Sequence, residues 1–231
     1  MKILIVSATE KEILPLKKNL KINVSNACIM KYTVVKDLVV DYLVTGIGCT
    51  QTTYALTRRL QAKKYDLIIH AGIAGSFRPD LPVGEVVWVE LDEFAALGIE
   101  DKDSFFTLFD QEFMDPNEFP FTNGQLKNPD PGKNPALVSL KKVRAVTSDI
   151  AHGNKASIEK LKKRFSPDIE TMEGAAFFYV CLHERVRCMA IRSVSNVVEE
   201  RNTQNWNIPL AIKNLNNKLL EIINQYKSLN V

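Results

Sequence analysis

Leu67-Ile68-Ile69-His70-Ala71-Gly72-Ile73-Ala74-Gly75 is the stretch whose reading decides the fold. Leu67 to Ala71 is a short, nearly continuous apolar run, which predicts a strand buried on both faces, and Gly72 to Gly75 predict a glycine turn that ends it. The same signature recurs on either side. Upstream, Ile3 to Val6 reads as a buried strand, and Val39 to Thr45 as another that stops at Gly46-Ile47-Gly48, with Thr33 to Val35 opposite it across a Lys36-Asp37 turn. Downstream, Val86 to Leu91, Lys142 to Thr147 and Cys188 to Val194 follow the pattern. Helices fall between: Glu10 to Leu20, Thr50 to Leu60, Ser157 to Phe165, the strongly apolar Glu173 to Glu184, and a last one from about Ile208. That last helix carries Ile212, Leu215, Leu219, Ile222, Ile223 and Tyr226 at three- and four-residue steps, an amphipathic cap for a sheet. Strands alternating with helices predict an α/β fold layered around a central sheet, and 231 residues fit one domain, 1–231.

Composition narrows the function classes. A net charge of +3 with scattered lysines and arginines argues against a nucleic-acid partner. No apolar stretch approaches the roughly 20 residues of a membrane span, and the N-terminal run is too short for a secretion signal, so a cytoplasmic enzyme is expected. Cys28, Cys49, Cys181 and Cys188 form no CxxC pair and read as reduced thiols, while His70, His152 and His183 lack ligand spacing. No metal and no cofactor is expected. Residues 101 to 136 break the rhythm. They set Phe105, Phe106, Phe109, Phe113, Phe119 and Phe121 among Asp, Asn, Pro and Gly, which reads as a functional loop or a partner contact.

In such a sheet ligands bind beyond the carboxyl ends of the strands. The residues there are Ser7, Thr9, Glu10 and Glu12 after the first strand, the glycine turn after Leu67 to Ala71, and Thr147, Ser148 and Asp149 after Lys142 to Thr147. Glu170-Thr171-Met172-Glu173 precedes the apolar helix, and Ser195-Asn196 follows the Cys188 strand. Carboxylates, an amide, hydroxyls and small turns on one edge suit a neutral polar ligand such as a sugar or nucleoside. Each residue also has a plainer reading. Glu10 and Glu12 could be first-turn acids favoured by the helix dipole, Gly46-Ile47-Gly48 a tight strand-to-helix turn, and Asn196 a cap. Glu173 is harder to explain that way, because a carboxylate at the mouth of an apolar helix is costly unless hydrogen-bonded.

Together these segments resemble the nucleoside phosphorylase/nucleosidase superfamily over essentially the whole chain. Ala8-Thr9-Glu10-Lys11-Glu12, Thr45-Gly46-Ile47-Gly48, Ala71 to Gly75, Met172-Glu173-Gly174-Ala175-Ala176 and Ile191-Arg192-Ser193-Val194-Ser195-Asn196 match signatures of its methylthioadenosine nucleosidase-like members in order and spacing. The resemblance implies a three-layer α/β/α domain with a central mixed twisted sheet, a nucleoside substrate and a homodimer or higher homo-oligomer. It implies that Glu12 activates water, Glu173 grips the ribose hydroxyls and Asn196 meets the purine, so these three are the catalytic candidates. Met172, Ile73, Ala74, Gly75 and Ile150 would line the substrate, with Phe113 and Phe121 reaching it from the aromatic segment.

Asn196 departs from the aspartate of the adenine-specific members. A neutral amide both donates and accepts, so it can donate to O6 of a 6-oxopurine while accepting from N7–H. The arginines with which related phosphorylases bind phosphate are replaced by Ser7 to Glu12 and by His70, which favours water as nucleophile. Asp92 to Asp101, the Asp115 to Leu126 region and Met172 to Ala176 are similar to the futalosine hydrolase family, implying release of hypoxanthine from futalosine in menaquinone biosynthesis. The alternatives are a methylthioadenosine/S-adenosylhomocysteine-type nucleosidase, a purine nucleoside phosphorylase, or a non-catalytic nucleoside binder on the same fold.

Overall fold

In the computed structural model, which describes residues 1–20, 32–35, 38–102, 104–128 and 134–228, the apolar runs line up side by side. The strands are β1 (Lys2–Ser7), β2 (Tyr32–Val35), β3 (Leu38–Val44), β4 (Leu67–Ser76), β5 (Val86–Phe94), β6 (Gly98–Asp101), β7 (Ser104–Thr107), β8 (Leu126–Lys127), β9 (Lys141–Thr147), β10 (Ile169–Thr171) and β11 (Cys188–Val197). The helices are α1 (Glu10–Asn19), α2 (Cys49–Ala62), α3 (Pro135–Val138), α4 (Lys155–Phe165), α5 (Gly174–His183) and α6 (Ile208–Ser228). The main sheet runs β10-β9-β5-β11-β4-β1-β3-β2, with the small β8 on β5. It is mixed: β4 lies parallel to β1 and β11, whereas β11 and β5 are antiparallel.

β1 shows how a continuous apolar run produces three layers. Side chains alternate between faces along a strand. Ile3 and Ile5 therefore pack with Ile13 and Leu16 of α1 and with Leu215, Leu219 and Ile222 of α6. Leu4 and Val6 face the other way, among Leu56 and Leu60 of α2 and Phe177, Phe178 and Cys181 of α5. Neither face meets water, so neither carries polar residues.

Three features depart from the expectations. First, the glycine run does not turn. β4 continues through it to Ser76, because Ile169 and Glu170 of β10 pair antiparallel with Ser76 and Gly75. That pairing closes β4, β11, β5, β9 and β10 into a ring. Second, the segment 101–136 is not wholly irregular. β6 and β7 form a hairpin, and β8 and α3 lie further along it. Third, β11 runs three residues past Val194 and carries a bulge between Val194 and Asn196, which sets Asn196 opposite Gly75. A bulge beside a site re-aims a side chain in this way. The expected Lys36-Asp37 turn and Cys28 lie outside the described residues. Cys49, Cys181 and Cys188 are free thiols.

Candidate active site

Glu12 sits in the first turn of α1 and is buried. Its Oε2 accepts from the Thr9 backbone N–H (2.9 Å), the Thr9 hydroxyl (2.9 Å) and the Ser7 hydroxyl (3.0 Å). Oε1 accepts from the Ile73 N–H at 3.1 Å. So Glu12 is a helix-start acid and also spans from α1 to β4. Pro15 lies within α1, and the Leu16 N–H donates to Asn216 Oδ1 of α6 at 2.9 Å. Asn216 Nδ2 donates to the Glu12 carbonyl at 2.7 Å. A buried side-chain amide thus ties the turn that carries Glu12 to α6.

Glu173 caps the start of α5, where the helix dipole favours a negative charge. Its Oε1 accepts from the Gly48 N–H at 3.1 Å. Gly48 has φ +94°, and a Cβ there would lie 2.9 Å from Asp149 Oδ1, so the position requires glycine. The Gly46-Ile47-Gly48 turn is therefore a strand-to-helix turn, and it also delivers a backbone donor to Glu173. Beside it, the Cys49 N–H donates to Asp149 Oδ1 at 2.7 Å. Beneath α5, the Thr147 hydroxyl donates to Asp92 Oδ1 (2.8 Å) and accepts from the Ala175 N–H (2.8 Å). The Gly174 N–H donates to the Thr171 hydroxyl at 3.2 Å.

A cation lies under both carboxylates. Arg192, on β11, is 1% exposed. A Cβ on Gly72 would lie 3.1 Å from Arg192 Nη1 and 3.1 Å from Glu12 Oε1, so a bare glycine separates the guanidinium from the acid. Arg192 Nη2 is 2.8 Å from His70 Nδ1, and since a guanidinium only donates, Nδ1 accepts. Burial, with the Arg192 charge adding to it, holds His70 well below the usual imidazole range. Burial raises the Glu173 pKa; Arg192 opposes that rise and Glu12 adds to it. Asp92, wholly buried, is pushed up to about 7 by burial.

The remaining candidates divide. Asn196 lies against Gly75, with Oδ1 accepting from the Ser195 hydroxyl (2.7 Å) and Nδ2 donating to the Val197 carbonyl (3.0 Å). Each end of the amide keeps one bonding direction. The Ala74 carbonyl accepts from the Ser195 hydroxyl at 3.2 Å, and the Met172 carbonyl lies 3.7 Å from Cys49 Sγ. β4 thus carries Ile73 to Glu12 and Gly75 to Asn196 within three residues. Ile150 and Phe113 are exposed, at 64% and 68%. Phe121 is placed differently. It is 7% exposed and packs on Phe109 and Tyr179, with centroids 5.1 and 6.0 Å away. Phe119 packs on His183, at the end of α5 remote from Glu173. The aromatic segment is therefore anchored along the flank of α5.

A family model described as the phosphorylase superfamily matches residues 2–224. The chain belongs to the phosphorylase superfamily. Futalosine hydrolase of Thermus thermophilus is 29% identical over 75% of this chain and 76% of its own length. Aminodeoxyfutalosine nucleosidase of Campylobacter jejuni is 26% identical over 87% and 88%. The fold matches the crystal structure of the Campylobacter jejuni methylthioadenosine/S-adenosylhomocysteine nucleosidase with a TM-score of 0.80, at 22% identity and 99% coverage of both chains. Like those relatives, this member of the superfamily is an N-glycosyl hydrolase. Among the described residues, no helix is long and apolar enough to cross a membrane.

The sequence assigns no role to Arg192, Asp92 or Asn216, and marks His70 only as standing where a phosphate-binding arginine is missing. For Arg192 a signal existed, since a lone arginine inside Met189-Ala190-Ile191-Arg192-Ser193-Val194 sits where a buried strand admits a charge only with partners. The finding also qualifies the argument from missing arginines. A guanidinium is present, but it is buried beneath Gly72 and directed at His70, not open to an entering phosphate dianion.

Proposed function

We propose that this chain hydrolyses the N-glycosidic bond of futalosine, releasing hypoxanthine and dehypoxanthine futalosine, a step of menaquinone biosynthesis. One observation carries the reading: at the Gly75 edge, where a purine would lie, the side chain is the neutral amide of Asn196 rather than a carboxylate. An ionised aspartate would repel O6, whereas an amide donates to it and accepts from N7–H. A site built for one hydrogen-bond pattern rejects the other strongly.

The step balances as follows. The C1′–N9 bond breaks, its electron pair goes to the purine, and N7 takes a proton. Water, oriented by Glu12, adds its oxygen to C1′ and gives up a proton. Glu173 holds the ribose hydroxyls with the oxygen that Gly48 leaves open, and Met172 packs on the sugar. Arg192 opposes the rise that burial causes in the Glu173 pKa. Ile73, Ala74 and Gly75 form the wall, and Ile150 lies at the rim. The active form is a cytoplasmic homodimer in which the exposed Phe113 of one copy covers the other's 5′ side. What supports this last point is that the large apolar side chains Ile47, Tyr54, Phe113 and Ile150 are each exposed.

Product analysis tests the reaction type. In phosphate-free buffer, free hypoxanthine should appear at full rate together with the free reducing sugar. Release that depends on added phosphate and yields a sugar 1-phosphate would make the chain a phosphorylase.

A further inference from the structure

His70 is a titratable residue in the middle of a buried strand. Leu67, Ile68 and Ile69 beside it are wholly buried, and so is His70 itself. It lies opposite Val6 of β1 and Ala190 of β11, and its ring packs on Phe177 of α5 with centroids 4.6 Å apart. An imidazole is costly in such a place unless its polar atoms find partners. The partner here is Arg192. Residues two apart on a strand share a face, so His70 stands beside the bare Gly72, which pairs with Arg192 across the sheet.

Arg192 depends on His70 in turn. Its Nη2 donates to His70 Nδ1 at 2.8 Å and lies 3.3 Å from Nε2. Its Nη1 contacts are long, 3.4 Å to the His70 carbonyl and 3.5 Å to the Ile191 carbonyl. Its buried Nε has no hydrogen-bond partner among the described residues. The short bond to the ring therefore sets the plane of the guanidinium. The charge held there acts on Glu173, Glu12 and Asp92. In a buried site such an effect is strong and depends on distance.

We propose that His70 is a positioning residue whose neutral ring holds Arg192 beneath Gly72, under the carboxylates of Glu12 and Glu173. The inference rests on the roles given above to those two acids. Only a neutral ring can serve, because a protonated one has no lone pair to accept with and would add a second buried cation. Burial and the Arg192 charge both keep the ring neutral. The groups that act on Glu173 are Arg192 from β11, Glu12 from α1 and the backbone N–H of Gly48 and Met172. Of these, only Arg192 depends on His70.

The test compares kcat across pH for the wild type, His70→Leu and His70→Asn, on futalosine and on methylthioadenosine alike. Leucine fills the space without an acceptor, so kcat should fall about ten- to hundredfold, the scale of one hydrogen bond to a charged group. With Arg192 released, the Glu173 pKa rises further, so the acid limb of the kcat profile should move to higher pH. Asparagine sets an acceptor oxygen as many bonds from Cβ as Nδ1 is, so His70→Asn should recover most of the lost kcat. A merely structural role predicts the reverse order, since leucine suits an apolar strand better than asparagine does. Leucine matching asparagine, or an unmoved acid limb, would overturn the proposal. Should His70→Leu fail to fold, nitrogen NMR of the wild type decides. It should show a bare Nδ1 and hydrogen on Nε2 wherever the enzyme turns over, and a charged ring or hydrogen on Nδ1 would overturn the proposal. If Glu12→Gln keeps near-normal turnover, the reading of the site falls and this inference with it. If Glu12→Gln is inactive while His70→Leu keeps its kcat, only the role of His70 falls.

Discussion

The two ends of the site are built on opposite plans. At the water end, Glu12 and Glu173 are buried and tied to backbone N–H groups of Ile73 and Gly48, with Arg192 beneath them. At the purine end, the polar side chain opposite Gly75 is a neutral amide on a bulge, bonded to its chain neighbours Ser195 and Val197. The first arrangement resists change because every group depends on several others. The second can exchange one side chain without disturbing the sheet. The difference teaches that bond cleavage is set by the rigid end and substrate choice by the adaptable end.

The comparison breaks most sharply at Glu12. Glu12→Gln should lower kcat by about two to four powers of ten, the usual scale of general-base help, with little change in melting temperature. Near-normal turnover would remove Glu12 from its role. Asp92 sharpens the comparison through pH. Its folded pKa of about 7 lies above the ordinary value of 3.8, so the folded state holds the proton more tightly. The stability it contributes is full below about pH 4 and is lost as pH rises towards 7, by a few kcal/mol. Asp92→Asn should therefore flatten the melting temperature between pH 4 and pH 8 and raise it at the alkaline end. A wild-type-like slope would show that Asp92 is not the titrating group. The smallest effect belongs to the purine end. Asn196→Asp should move the 6-oxo to 6-amino preference towards adenine by about ten- to hundredfold, the scale of one hydrogen bond to a charged group, while leaving stability within about 0.5 kcal/mol. A fall in both substrates without a change in preference would count against base reading by residue 196.

Much of this was legible in the sequence, and the parts that were not share a cause. Ile3 to Val6 and Leu67 to Ala71 announced buried strands because burial on both faces forbids polar residues along them. Glu173 stood out because an acid at the head of an apolar helix needs partners, and Gly48 proved to be one of them. The ring closure by Ile169–Thr171 was hidden, since three residues carry no period and their pairing with Gly75 and Ser76 joins segments far apart in the chain. The packing of Phe121 was hidden for a similar reason: an aromatic residue in a loop looks the same in sequence whether it faces a ligand or packs on Tyr179. Asn216 could not be foreseen at all, because its partners are backbone groups about 200 positions away, beside Pro15.

The most direct measurement is the ratio of kcat/KM for futalosine to that for its 6-amino counterpart, taken side by side with methylthioadenosine on the unaltered protein. An amide facing the base predicts a clear preference for futalosine. A preference for either 6-amino substrate would contradict the account at its centre.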